Sequence, residues 1–239
     1  MTTALVIHAK HLTSRLQHVS EQLKDWKGPV EYILDYDKNE LTDDILRTYI
    51  KPECELDNKS GATSCALKHL LACQYIIDKG LEGALVLEDD IVLHPHFVEN
   101  FERTMEEYRH CFADKPVIIS YEDSSLQFIP RSKRVKGQWL YEAPHGRVRF
   151  NGLLYINRQA AQNIVDEVSK DKCHIAVDHY YQKYLYDKGF VQMIWSQPCL
   201  ATQGSFDGTF LSSIGQLRSF EGLRWKLKLI LKRVIYWFK

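Results

Sequence analysis

Apolar residues recur along this chain in two rhythms, short unbroken runs and stripes spaced three or four residues apart, and the two alternate. Residues 4–8 form the first run and read as a buried strand, after which Leu12, Leu16, Val19 and Leu23 keep helical spacing. Residues 30–34 predict a second strand, and 35–40 a polar turn. Thr42-Asp43-Asp44 starts a short helix that cannot pass Pro52. Residues 57–61 read as a loop. From 63 to 79, Ala66, Leu67, Leu70, Leu71, Ile76 and Ile77 form a helical stripe that Gly80 ends as a C-cap. Strands are predicted at 84–87, 117–120, 153–156 and 191–195, and helices at 97–108, 159–168 and 178–188. This alternation predicts an α/β fold with an open, mostly parallel sheet. Residues 121–150 keep neither rhythm and carry Pro130, Gly137, Pro144 and Gly146. So long an irregular stretch is a candidate substrate-covering loop.

With 239 residues, 45% of them hydrophobic, the chain can bury one full core, with room for a small appendage. Its formal charge is zero, 31 basic residues against 31 acidic, but the balance is uneven. Residues 218–239 hold seven Lys and Arg and one acid, Glu221, which leaves 24 basic against 30 acidic in the body. In that tail Leu223, Leu227, Ile230, Leu231, Val234, Trp237 and Phe238 share one helical arc, with Arg224, Lys228, Lys232 and Lys239 opposite and Lys226 and Arg233 flanking. A basic amphipathic helix ending in Tyr236-Trp237-Phe238 suits an anionic lipid interface, though it also suits packing on the domain or a dimer contact. The expected division is therefore a domain at 1–215 and a basic helix at 216–239. The start of the chain lacks the basic and long apolar segments of an export signal, and no run approaches the length of a membrane span. The expectation is a cytoplasmic protein peripherally bound to a membrane, with no nucleic-acid partner. Cys54, Cys65, Cys73, Cys111, Cys173 and Cys199 show no CxxC pair and no zinc-ligand spacing and read as reduced thiols.

The chemistry concentrates at Glu88-Asp89-Asp90, which follows an apolar run and precedes Ile91-Val92-Leu93. Three adjacent anions lose hydration and repel one another at the end of a buried strand unless a cation gathers them. All-oxygen ligands suit Mg²⁺ or Mn²⁺, and a strand's C-terminal end is where α/β folds place ligands. Alternation along the strand points Glu88 and Asp90 together and Asp89 away. Asp90 is the expected metal ligand, with Glu88 or Asp89 on a ribose or a metal-bound water; the plainer alternative is an acidic turn capping the next helix. Asp178 opens a predicted helix and is either its N-cap or a general base, a role that His179 suits less well. Gly61-Ala62-Thr63-Ser64 offers helix-start amides to nucleotide oxygens, or is an ordinary capped start. Arg15 by itself reads as part of a solvated face, and His94-Pro95-His96 as loop. Gln203 and Ser205 follow the last strand and could line a diphosphate or sugar, with Gly204 permitting close approach.

Several of these segments, in order, resemble glycosyltransferase family 25, which builds lipopolysaccharide and lipooligosaccharide outer cores and includes collagen galactosyltransferase domains. The resemblance runs from about residue 4 to about 206. It rests on Leu85-Val86-Leu87-Glu88-Asp89-Asp90, on Gly61 with Cys65-Ala66-Leu67 and His69, on Val177-Asp178-His179 and on Arg15. The chain departs from the family pattern at His8-Ala9, Lys68 and Asn151-Gly152. The resemblance implies a Rossmann-like GT-A fold, a nucleotide-sugar donor, a divalent metal and inversion at the anomeric carbon. On that reading His8, Arg15, Gly61, Ser64, His69, Glu88, Asp89, Asn151, Gly152, Gln203 and Ser205 bind the donor, Asp90 and Glu88 hold Mn²⁺ or Mg²⁺, and Asp178 is catalytic. The expected reaction moves galactose or glucose from a UDP-sugar to a lipopolysaccharide core glycolipid at the inner-membrane surface. Two other classes remain open. A metal-dependent hydrolase needs a second acid facing the first; a non-catalytic sugar- or lipid-binding module predicts no nucleotide affinity.

Overall fold

Every residue of β1 (Thr3–Ile7) is buried, because the strand lies inside the sheet and is covered on both faces. The computed structural model describes residues 1–207, 209–210 and 219–238. After β1 come α1 (Thr13–Gln22), β2 (Val30–Ile33), α2 (Asp43–Tyr49), α3 (Gly61–Asp78), β3 (Gly83–Glu88), β4 (Ile91–Leu93), α4 (Phe97–Cys111), β5 (Val117–Ser120) and β6 (Leu140–Glu142). β7 (Leu153–Asn157), α5 (Arg158–Asp171), α6 (Val177–His179), β8 (Gln192–Ser196), β9 (Ala201–Gln203), α7 (Gly204–Asp207) and α8 (Ser219–Phe238) complete the order.

The main sheet runs β2-β1-β3-β7-β5-β8-β6, and β4 pairs with β9 in a small second sheet. β2, β1, β3, β5 and β8 point one way, while β7 and β6 run against their neighbours. The architecture is thus α/β and mostly parallel, with an antiparallel strand in mid-sheet that hydrophobic periodicity does not encode. Side chains alternate across the sheet. Leu5, Ile7 and Val86 join the core layer under α3 and α5, whereas Ala4, Val6, Leu85 and Leu87 join the layer that contains Phe101 and Met105 of α4.

The chain leaves β1 for β2 on one side of the sheet and returns as β3 on the other. That reversal opens a crevice beyond the carboxyl ends of β1 and β3, where α/β folds bind ligands. The β1–β3 register sets Ile7 opposite Glu88, so the acidic cluster emerges beside His8 and Ala9.

Residues 121–150 differ from the expected covering loop. Tyr121, Glu122, Asp123, Phe128, Ile129, Leu140 and Arg149 are buried, and β6 pairs with β8 at the sheet edge. The cause is Arg149, whose guanidinium donates to the Gln127, Ser120 and Ser196 carbonyls and lies over the Trp195 ring. Residues 178–188 also depart from a plain α-helix, since Tyr180–Leu185 is a π-helical stretch. All six cysteines are free thiols.

Candidate functional site

The end of β3 is pinned on both sides. The Asp89 amide donates to the Ile7 carbonyl at 3.1 Å, and the Glu88 amide to the Gly152 carbonyl at 3.0 Å. From this fixed backbone the three carboxylates enter three different environments.

Asp89 turns inward. Its Oδ2 meets His8 Nδ1 at 2.8 Å and accepts from the Ala9 amide at 3.3 Å, and its Oδ1 accepts from Arg15 Nη1 at 2.9 Å. Burial by itself would raise this carboxyl, but His8 and Arg15 outweigh burial and hold it below the usual carboxylate range. Arg15 is therefore not on a solvated face. Its side chain is only 8% exposed and also stands 3.9 Å from Asp90 Oδ2. The reason is placement: α1 starts beside the end of β3, so its first turn aims at the acidic cluster.

Glu88 is shared. Its Oε2 accepts from Gln203 Nε2 at 2.9 Å, while Oε1 lies 3.5 Å from both Cys65 Sγ and His69 Nε2. Burial and the Glu88 charge push the Cys65 thiol well up. Asp90 is the least satisfied of the three. Its Oδ1 is buried without a hydrogen-bond partner. Burial first and the Glu88 charge second raise its pKa to about 6, against Arg15 and the Ser205 hydroxyl. An orphaned carboxylate oxygen beside a second carboxylate fits a hard divalent cation, with Asp90 and Glu88 as its first ligands.

Glu88 and Asp90 line a cavity of about 340 Å³ together with Asp178, Asn151, Gln203 and Ser205. Phe150 and Phe206 also line it, stacked at 4.9 Å and 15°. A smaller lobe of about 100 Å³ shares Arg15, Cys65 and Glu88 and extends to Gly61, Ser64, Asp37 and Lys68. There Lys68 Nζ faces Asp37 Oδ1 at 3.0 Å, both side chains buried.

Asp178 is not the N-cap of its helix. Ala176 holds that position, and Asp178 sits in the first turn of α6, where its Oδ1 accepts the His179 amide at 2.9 Å. Desolvation raises its pKa, and the Glu88 charge adds to the shift. A half-buried carboxylate raised in this way, facing two acids across one cavity, is equipped to accept a proton. His179 is exposed.

The remaining residues divide into wall and support. His8 and His69 are buried behind Asp89 and Glu88 and line neither lobe. Ser60 caps α3 by accepting the Thr63 amide at 3.2 Å, which leaves Gly61 as the first helical residue. Ser64 spends its hydroxyl proton on the Tyr36 carbonyl at 2.7 Å. A Cβ on Gly152 would stand 2.5 Å from Gln203 Cγ, so glycine here is what lets Gln203 reach Glu88. Asn151 Oδ1 accepts from Gln182 Nε2 at 3.2 Å, and its Nδ2 has no partner. His94 hydrogen-bonds Cys199 and Thr202, and His96 is exposed, so the two do not act as a pair. Sequence reading missed Asp37, Phe150 and Phe206. No periodicity marks them, and only the aromatics flanking Asn151 and Ser205 hint at a wall.

The described part of α8 docks on the body along one stripe. Trp225 donates to the Ser124 carbonyl, Arg233 to Asp123 at 2.8 Å, and Tyr236 packs on Phe128. Leu223, Leu227, Ile230, Leu231 and Phe238 stay exposed, between 59% and 78%. No helix among the described residues is long and apolar enough to cross a membrane.

The model of glycosyltransferase family 25, described as an LPS biosynthesis protein family, matches residues 1–181. No curated protein matches the chain. Among solved structures, a glycosyltransferase involved in glycosylation of the major capsid of PBCV-1 is 14% identical, with 84% of this chain and 93% of that one covered, at a TM-score of 0.45. Mouse xyloside xylosyltransferase 1, in its apo form, is 13% identical over 80% of this chain and 83% of that one, at a TM-score of 0.42.

Proposed function

The chain belongs to glycosyltransferase family 25, and on that premise we propose that it moves galactose or glucose, with inversion, from a UDP-sugar to a lipopolysaccharide or lipooligosaccharide core acceptor. The observation that carries this reading is the placement of Asp178 on the same cavity wall system as Glu88 and Asp90. The nucleoside lies in the smaller lobe against Ser64 and the Asp37–Lys68 pair, and the sugar in the larger one. Asn151, Gln203 and Ser205 then border the diphosphate and the sugar. The stacked Phe150 and Phe206 offer an apolar face to a sugar ring and shut water from that side.

The acceptor hydroxyl attacks the anomeric carbon from the Asp178 side. As the new bond forms, its proton passes to the Asp178 carboxylate, whose raised pKa makes it the stronger base for the task. Arg15 stays fixed on Asp89 and lends positive potential to the neighbouring Asp90. A divalent ion, Mn²⁺ or Mg²⁺, would be held by Asp90 with Glu88 and would stabilise the charge that develops on the leaving diphosphate. Working on a glycolipid favours a site at the inner-membrane surface. The exposed apolar arc of α8, flanked by exposed Arg224, Lys226, Lys228 and Lys232, supports that placement.

The test is Asp178→Asn, after nucleotide-sugars have been screened for turnover with the wild type. The variant should bind UDP with Mn²⁺ as tightly as wild type by calorimetry, yet transfer about 10²- to 10⁴-fold more slowly. Turnover within about threefold of wild type would remove Asp178 as the base.

A further inference from the structure

Glu88 has a second set of neighbours that the transfer reaction leaves unused. Cys65 and His69 lie four residues apart on α3, which brings both side chains to one face of the helix. That face abuts the end of β3, and one ligand atom from each of Cys65, His69 and Glu88 lies within 4.8 Å of the others. The sulfur–oxygen and nitrogen–oxygen separations to Glu88 Oε1 are both 3.5 Å.

Direct hydrogen bonding explains the imidazole distance poorly, because N–H···O bonds centre near about 2.9–3.0 Å. A shared cation explains it better. Tetrahedral zinc, with bonds of about 2.3 Å to sulfur and about 2.0–2.2 Å to nitrogen and oxygen, sets its ligands about 3.3–3.6 Å apart. Glu88 is also divided suitably, since Gln203 occupies Oε2 and leaves Oε1 toward Cys65 and His69. Thiolate, imidazole and carboxylate together select a thiophilic ion over Mg²⁺. Three protein ligands beside an open cavity also leave a coordination position for water or another small ligand.

We propose that Cys65, His69 and Glu88 form a site for a thiophilic divalent cation of the Zn²⁺ class, which shares Glu88 with the oxygen site at Asp90. The cation forms a bond to sulfur as the thiol releases its proton to solvent. Because Glu88 belongs to both sites, an ion held here draws Glu88 away from the oxygen site. Zn²⁺ should therefore oppose Mn²⁺ rather than replace it.

The test uses the full chain, stripped of metal by chelation and titrated with Co²⁺ in the absence of donor and acceptor. A thiolate-to-cobalt charge-transfer band in the near ultraviolet should appear and should be erased by one equivalent of Zn²⁺. Cys65→Ser should abolish the band and weaken Zn²⁺ binding about tenfold or more, His69→Gln should weaken it comparably, and Asp90→Asn should keep it. Circular dichroism checks folding, and His69→Gln decides the question if Cys65→Ser does not fold. Absence of the band in wild type, its survival in folded Cys65→Ser, or its loss in folded Asp90→Asn would overturn the site. The readout needs no turnover, so failure here and failure of the transferase reading are distinct results.

Discussion

Glu122 offers the sharpest quantitative test of the packing under the site. It follows β5, is completely buried, and neither carboxyl oxygen closes a hydrogen bond of ordinary geometry. Burial raises its pKa from 4.5 to about 8, and Asp123 adds to the shift while Ser124 and Arg149 temper it. The folded pKa lies above the unfolded one, so the contribution of this group is fully present below about pH 4.5 and is lost as pH rises through about 8. At about 1.4 kcal/mol per pH unit, the full loss is about 5 kcal/mol, of which about 2.5 falls between pH 5 and pH 7. Glu122→Gln keeps the shape and removes the titration. Urea unfolding of both proteins at pH 5, 6 and 7 should show the variant gaining on wild type by about 2.5 kcal/mol across that range. Taking the difference between the two proteins cancels the titrating groups that do not couple to Glu122, and any constant cost of burying the amide cancels in its slope. A difference that stays flat within about 0.5 kcal/mol would refute a neutral, buried Glu122.

Two further outcomes follow from contacts already described. Arg15→Met should destabilise the fold by about 3–5 kcal/mol, because it leaves Asp89 charged and buried, while Arg15→Met combined with Asp89→Asn should cost less than the two single changes together. In a chain of this length that single change lowers Tm by roughly 6–20 °C, and additive costs in a denaturant cycle would count against the ion pair. Leu227→Glu with Ile230→Glu changes side chains about 60% exposed, so Tm should hold while sedimentation with anionic vesicles is lost. Unchanged co-sedimentation would remove α8 as the lipid-facing surface.

How much of this was legible beforehand depends on the range of the interactions. β1 and β3 are unbroken apolar runs, and Gly80 ends α3 with φ near +62°, so local rules located them. The site itself was legible in part for the same reason, since Glu88-Asp89-Asp90 closes one such run. Long-range contacts were not legible. Arg149 looks like a polar loop residue until carbonyls from residues 120, 127 and 196 gather round it. Arg15 looks solvated until Asp89, far along the chain, comes within 2.9 Å. The direction of β7 is equally invisible to periodicity, because a buried strand reads the same both ways. β4 and β9 are three residues each and gain their identity only from one another.

The acidic cluster is tolerated because its three charges are handled in three different ways. Asp89 is neutralised outright: the Arg15 guanidinium and His8 meet its two oxygens, and its pKa falls despite burial. Glu88 keeps an edge on the cavity and an amide donor from Gln203, so water and a dipole share its charge. Asp90 receives neither a full ion pair nor open solvent, and burial with the Glu88 charge raises its pKa to about 6, so its negative charge is costly. This division follows from the turn that succeeds β3, not from strand alternation: Asp89 and Asp90 lie beyond the last strand residue, Asp89 meeting Arg15 of α1 while Asp90 joins Glu88 on the cavity wall. A single cation in that cavity would meet the unbalanced charge where it is greatest, with the pair on Asp89 preventing the third carboxylate from competing for it. Arg15 therefore acts at a distance, binding Asp89 so that Asp90 is the anion left to be satisfied.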